Sequence, residues 1–256
     1  SEMCIRDSVE LVKDYVHPET GKTYNVDKLE LKTDEGRGFG KAKFILKEGG
    51  TLGDLYTHAD LKRDINGNIL IDDSGNVTAI DNAGDIKLGS VLPKANLAWN
   101  NSFSYKGINA GFLLTARLGG IVYSATQAYL DLYGVSETSA AARDAGGVWI
   151  NGRSHVNPQS FYEVVASQSG LPTYYTYSAT NLRLQEAHIG YTVPRRWLGN
   201  VCDINVSLVG RNLWMIYCKA PFDPEAVATT NNYYQGIDYF MMPSTRNIGF
   251  NIKINF

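Results

Sequence analysis

The segment from Asn247 to Phe256 alternates without a break: Ile248, Phe250, Ile252, Ile254 and Phe256 share one face, and Asn247, Gly249, Asn251, Lys253 and Asn255 share the other. A two-residue period over ten positions is a β-strand with one apolar and one polar side. At about 3.3 Å per residue and a tilt near 45°, ten residues rise about 24 Å along a membrane normal. That is the height of the apolar band of an outer-membrane barrel.

Other stretches repeat the pattern. From Asn96 to Tyr105, Leu97, Trp99, Phe103 and Tyr105 share a face; from Ile108 to Leu118, Ile108, Ala110, Phe112, Leu114, Ala116 and Leu118 do. Ile204, Val206 and Leu208 alternate with Asp203, Asn205 and Ser207. Between Asn181 and Tyr191 the phase slips: Leu182 and Leu184 share a face, while Ala187, Ile189 and Tyr191 fall on odd positions, which predicts a bulge near Gln185 and Glu186.

A soluble sandwich also alternates, so the connections carry the distinction. Lys106-Gly107 is a minimal hairpin turn, and a short turn containing Pro194 and Gly199 joins the next pair. Long spans lie between and around them: 48–94, 119–180 and 214–245. Alternating long and short connections are unusual in a compact soluble domain and are the rule for extracellular loops and periplasmic turns. Within the long spans, Asp64-Ile65-Asn66-Gly67-Asn68 reads as an Asn-Gly hairpin turn rather than a calcium loop, because its glycine is misplaced for an EF-hand and no glutamate closes the count. Ser136 to Arg143 predicts a short helix capped by Ser136 and stopped at Gly146-Gly147.

Composition excludes several functions. The chain carries 24 Lys+Arg against 26 Asp+Glu, a formal charge of −2, which supplies no basic face for nucleic acid. Cys4, Cys202 and Cys218 form neither a disulfide framework nor a zinc site, and the four histidines lack metal-ligand spacing. No pair of carboxylates stands out for glycoside hydrolysis. No cofactor is expected. Residues 1–8 fit nothing downstream and are set aside as a non-native leader. Residues 9–94 are expected to hold one or more strands and a long extracellular loop, and 95–256 the remaining strands and loops of one incomplete domain.

Several motifs together resemble the SusC/RagA family of TonB-dependent outer-membrane transporters. They are Ala179-Thr180-Asn181-Leu182-Arg183-Leu184-Gln185-Glu186, then Gly190-Tyr191-Thr192-Val193-Pro194, Gly210-Arg211-Asn212-Leu213-Trp214, Phe222-Asp223-Pro224-Glu225, and Met242-Pro243-Ser244-Thr245-Arg246 ahead of the last strand. Leu52-Gly53-Asp54-Leu55-Tyr56 and Arg143-Asp144-Ala145-Gly146-Gly147 add to the likeness. The resemblance implies an all-β fold: the C-terminal portion of a 22-stranded antiparallel transmembrane barrel, with about six strands here. It implies a Gram-negative outer membrane, import of glycan fragments or oligopeptides, a SusD-like surface lipoprotein, TonB contact through a plug region absent from this chain, and insertion by the barrel-assembly machinery. The lack of a signal sequence and plug reads as truncation.

Such a barrel does no covalent chemistry. Phe256, with Ile254 and Ile252, is the candidate assembly signal. Tyr174, Tyr175, Tyr177, Tyr233, Tyr234, Tyr239 and Phe240 fall in expected outer loops and are candidates for contact with substrate or lipoprotein. Asp223 and Glu225 are weak cation candidates, with turn formation at Pro224 the simpler account. Arg211 and Arg246 are expected to pair with lumen or loop carboxylates. The competing expectation is a soluble carbohydrate-binding β-sandwich, in which a second sheet would have to cover Leu97, Trp99, Phe103, Ile108, Phe112 and Leu114.

Overall fold

In the computed structural model the described residues are 15–16, 21, 23–24, 28–31, 41–152, 154–167, 170–199, 201–227 and 235–255. The leader 1–8, Tyr233, Tyr234 and Phe256 lie outside them. The chain divides into two units: residues 1–92, 121–177 and 227–241 form one, and residues 93–120, 178–226 and 242–256 the other.

The second unit is an antiparallel meander of β1 (Ala95–Tyr105), β2 (Ile108–Leu118), β3 (Asn181–Val193), β4 (Asp203–Cys218) and β5 (Asn247–Asn255). Five strands of the roughly six expected are therefore seen in this sheet. The register stacks the alternating residues into rows. Phe103, Ala110, Ile189, Leu208 and Phe250 run across all five strands, and Tyr105, Ile108, Tyr191, Val206 and Ile252 form the next row. The other face carries rows such as Ser104, Asn109, Gly190, Ser207 and Asn251. The bulge falls where the sequence placed it. Leu113 opposes Glu186 and Leu114 opposes Leu184, so Gln185 is the extra residue that restores the phase. On β4 the matching irregularity includes Asn212, at φ +50, an angle asparagine tolerates better than most residues.

The β1–β2 turn has φ +48 at Lys106 and φ +86 at Gly107, the paired positive angles of a type I′ hairpin. A Cβ at Gly107 would stand 2.9 Å from the Thr192 carbonyl oxygen. Gly107→Ala is therefore expected to cost about 1–2 kcal/mol, from left-handed strain and that close approach, read as a lower urea midpoint of the folded barrel.

The first unit holds the core. Phe44, Leu55, Val91, Tyr123, Val165 and Ile237 are fully buried in one cluster, drawn from this unit alone. A four-stranded sheet orders Lys28–Leu31, Ala42–Lys47, Asp54–Thr57 and Ile86–Ser90. Among the described residues three α-helices follow, each started by a side-chain cap: α1 (Ala125–Leu132) by Ser124, α2 (Glu137–Asp144) by Ser136, and α3 (Pro158–Val165) by Asn157 with Pro158 in its first turn. The Asp64–Asn68 turn closes a hairpin, with the Arg63↔Ile69 bridge behind it and Gly67 at φ +83. Asp64 accepts from the backbone N–H groups of Asn66 and Asn68, so its carboxylate is spent on the turn.

Candidate functional site

The apolar rows of the meander are open. Phe250 is 77% exposed, Trp99 59% and Leu208 54%, and Leu97, Phe103, Ile248, Ile252 and Ile254 are exposed with them. Among the described residues no second sheet covers this face. Burying one such side chain is worth about 1.5–3 kcal/mol, so a face of this size is untenable in water and appropriate in hydrocarbon. From Ile204 to Trp214 the face rises about 24 Å along a normal at 45° tilt. Tyr105 and Tyr191 sit at the short-turn end and Trp99 and Trp214 toward the other, the placement of interfacial girdles. No helix among the described residues is long and apolar enough to cross a membrane.

The polar face carries an ion pair the sequence reading anticipated in kind: Arg211 Nε lies 3.1 Å from Glu186 Oε2. The more consequential pair was not anticipated. Arg183 on β3 is 4% exposed. It donates to Asp223 Oδ1 at 2.8 Å, to Ser244 Oγ at 3.2 Å, and lies 3.3 Å from Glu225 Oε2. Asn181 Nδ2 donates to Glu225 Oε1 at 3.2 Å. Asp223 also accepts from the N–H groups of Glu225 and Ser244 and from the Ser244 hydroxyl. Burial would raise the Asp223 carboxyl, but these hydrogen bonds and the Arg183 charge outweigh it and hold the group below the usual carboxylate range. Asp223 and Glu225 thus face a guanidinium. Among the described residues no group of three or more His, Cys, Asp or Glu is placed to hold a metal ion. The cluster ties residues 222–225 and 244 to β3, fixing both ends of the last long connection. Arg183 was readable only as one more polar-face residue, because its partner lies 40 positions away.

The aromatic candidates divide. Tyr175 is 2% exposed and donates its hydroxyl to Asp131 Oδ2 at 2.9 Å. Burial, with the Asp131 charge beside it, raises the Tyr175 phenol far above its ordinary value. Tyr177 is pushed up to about 12, first by burial and then by Asp131. Tyr174 is half-buried, its ring 6.3 Å from that of Phe161. These three pack within the long connection. Tyr239 and Phe240 are different: exposed at 38% and 57%, they form a trio with Tyr129, with ring centroids 5.3–6.2 Å apart. Phe240 holds φ +50, fixed by its N–H donating to Thr126 Oγ1 at 2.7 Å. A bulky residue in that conformation is strained, and such strain concentrates at binding sites. Ile252 and Ile254 lie on the exposed apolar face of β5.

No protein-family model matches the chain. The curated TonB-dependent receptor P3 of Formosa agariphila is 23% identical over 89% of this chain and 24% of that receptor. Among solved structures, the RagAB peptide importer in its closed-closed state aligns with a TM-score of 0.59 at 16% identity, covering 91% of this chain and 25% of the matched chain. The RagAB peptide transporter aligns with a TM-score of 0.58 at 18% identity, over 90% and 25%. The chain spans about a quarter of the length of these relatives. In sequence the chain is thus similar to a segment of a TonB-dependent receptor, and in fold to a segment of the RagAB importer.

Proposed function

We propose that this chain is the closing part of a TonB-dependent outer-membrane importer for oligopeptides or glycan fragments. The observation that carries the reading is the uncovered apolar face of the five-stranded meander, backed by a polar face. A soluble carbohydrate-binding sandwich would need those side chains covered. Most of the core-bearing first unit comes from the long connections, and water around such connections makes an apolar core favourable. A surface lipoprotein of the SusD type would meet those connections. TonB would act through a plug region beyond this chain, and the assembly machinery would read the last strand with Phe256.

Tyr239 and Phe240 are the best-placed contacts for substrate among the described candidates, since they are already exposed to solvent. The test uses the full-length transporter in a deletion strain, following uptake of labelled oligopeptides and oligosaccharides. Tyr239→Ala with Phe240→Ala should lower uptake about tenfold at limiting substrate, the loss of about 1–2 kcal/mol of stacking, while the folded level in the membrane stays constant. Recovery of the full-length protein in the aqueous fraction would overturn the proposal. Deleting Phe256 should lower the outer-membrane level; unchanged insertion would remove its role as a signal.

A further inference from the structure

Where β5 ends, β4 continues. β5 pairs with β4 from Asp203 to Arg211, and β4 runs on to Cys218. Beside that extension the chain ahead of β5 returns as an irregular strip, tied by Asn212 Nδ2 to the Thr245 carbonyl at 3.1 Å. The result is a cleft of about 410 Å³ whose lining includes Trp214, Phe222, Pro243, Arg183 and Arg246. All of these belong to the meander unit.

Two features give the cleft a chemical preference. The first is charge. Of its two guanidiniums, Arg183 is matched by Asp223 and Glu225, whereas Arg246 is exposed and has no ion pair among the described residues. Two carboxylates already stand against Arg183, so Arg246 is the guanidinium left for an incoming anion among the described residues. The second is position. Arg246 stands two residues ahead of Ile248 and lines the cleft together with Trp214. Trp214, 62% exposed, belongs to the apolar row that holds Leu184 and Leu114. An indole and a guanidinium at the end of a lipid-facing strand mark the bilayer boundary, where the apolar parts of both side chains lie against acyl chains and the charge reaches the headgroups.

We propose that this cleft binds the phosphorylated headgroup of a membrane glycolipid, with Arg246 on the phosphate and Trp214 against the sugar or the first acyl carbons. The proposal rests on the outer-membrane reading above, which places the long connections, and with them this end of β4, at the outer leaflet. Guanidinium suits a phosphate because it offers parallel donors to two oxygens.

The test uses the full-length transporter in phosphatidylcholine nanodiscs doped with bisphosphorylated lipid A or with its dephosphorylated form, counting retained glycolipid by native mass spectrometry. Wild type should retain the phosphorylated form about tenfold better. Arg246→Gln should abolish that preference, and Arg246→Lys should restore part of it, since a charge remains without the fork. Equal retention by wild type and Arg246→Gln would overturn the proposal. Displacement of lipid A by millimolar inorganic phosphate would overturn it too, by assigning the site to a free anion. Heat-modifiable migration is read on the same samples. A wild type that fails to migrate as a folded barrel rejects the outer-membrane reading itself, whereas a folded barrel without phosphate preference rejects only this site.

Discussion

On the proposed outer-membrane reading, Leu208→Arg should destabilise the folded full-length protein by about 2–4 kcal/mol, the cost of arginine on a lipid face near the bilayer midplane. Leu208 sits at the middle of β4, in the row with Ile189 and Phe250, and about half its side chain is open. The change corresponds to roughly a 30- to 700-fold shift in the folding equilibrium. Ser207→Arg, one residue away, should cost less than about 1 kcal/mol. Position 207 lies on the polar face of the sheet, opposite Gly190 and Asn251, where an arginine head can remain in water. Urea unfolding of the full-length protein in phospholipid bilayers distinguishes the two. A soluble domain with this face on its surface would tolerate Leu208→Arg easily, so equal effects at 207 and 208 would refute the two-faced assignment.

What could be read from the sequence follows from how regular each environment is. A strand between hydrocarbon and water meets the same two surfaces along its whole length, so β1, β2 and β5 announce themselves by period alone. The Gln185 bulge was visible as a break in that period, and the Lys106-Gly107 turn as a two-residue connection between two alternating segments. The long connections offered no such signal. Their apolar residues are buried by partners far along the chain, as Tyr123 is beside Ile237, so the four-stranded sheet went unread. Helix α2 was legible through its Ser136 cap. Asn157-Pro158 ahead of α3 is an equally good start signal that could have been taken. Tyr175 was grouped with exposed candidates because nothing local shows that Asp131, 44 positions away, accepts its hydroxyl. The Arg183–Asp223 pair escaped for the same reason: both residues lie in quoted motifs, and only the fold brings the motifs together.

That pair sets the second large effect. Asp223→Ala leaves the Arg183 guanidinium buried without its nearest carboxylate, and breaking a buried pair from one side costs about 3–5 kcal/mol. The loss should be local, because Asp223 also receives the backbone N–H groups of Glu225 and Ser244, at the two ends of the last long connection. Hydrogen exchange at those amides should therefore accelerate by two orders of magnitude or more, roughly the equivalent of 3 kcal/mol, while amides in the middle of β3 and β4 stay protected. The double change Arg183→Met with Asp223→Leu removes both charges and should recover much of the loss, since apolar replacement of a buried pair is often near neutral. Acid gives an independent reading. The folded Asp223 pKa is depressed below the unfolded value of about 3.9, so its contribution is complete above that pH and is lost as pH falls through the folded pKa. Wild-type exchange at Glu225 and Ser244, corrected for the intrinsic rate, should thus loosen below about pH 4, and Asp223→Ala should show no such dependence. A mutant whose exchange at these amides matches wild type at neutral pH would mean that the Asp223–Arg183 pair does not hold the connection in place.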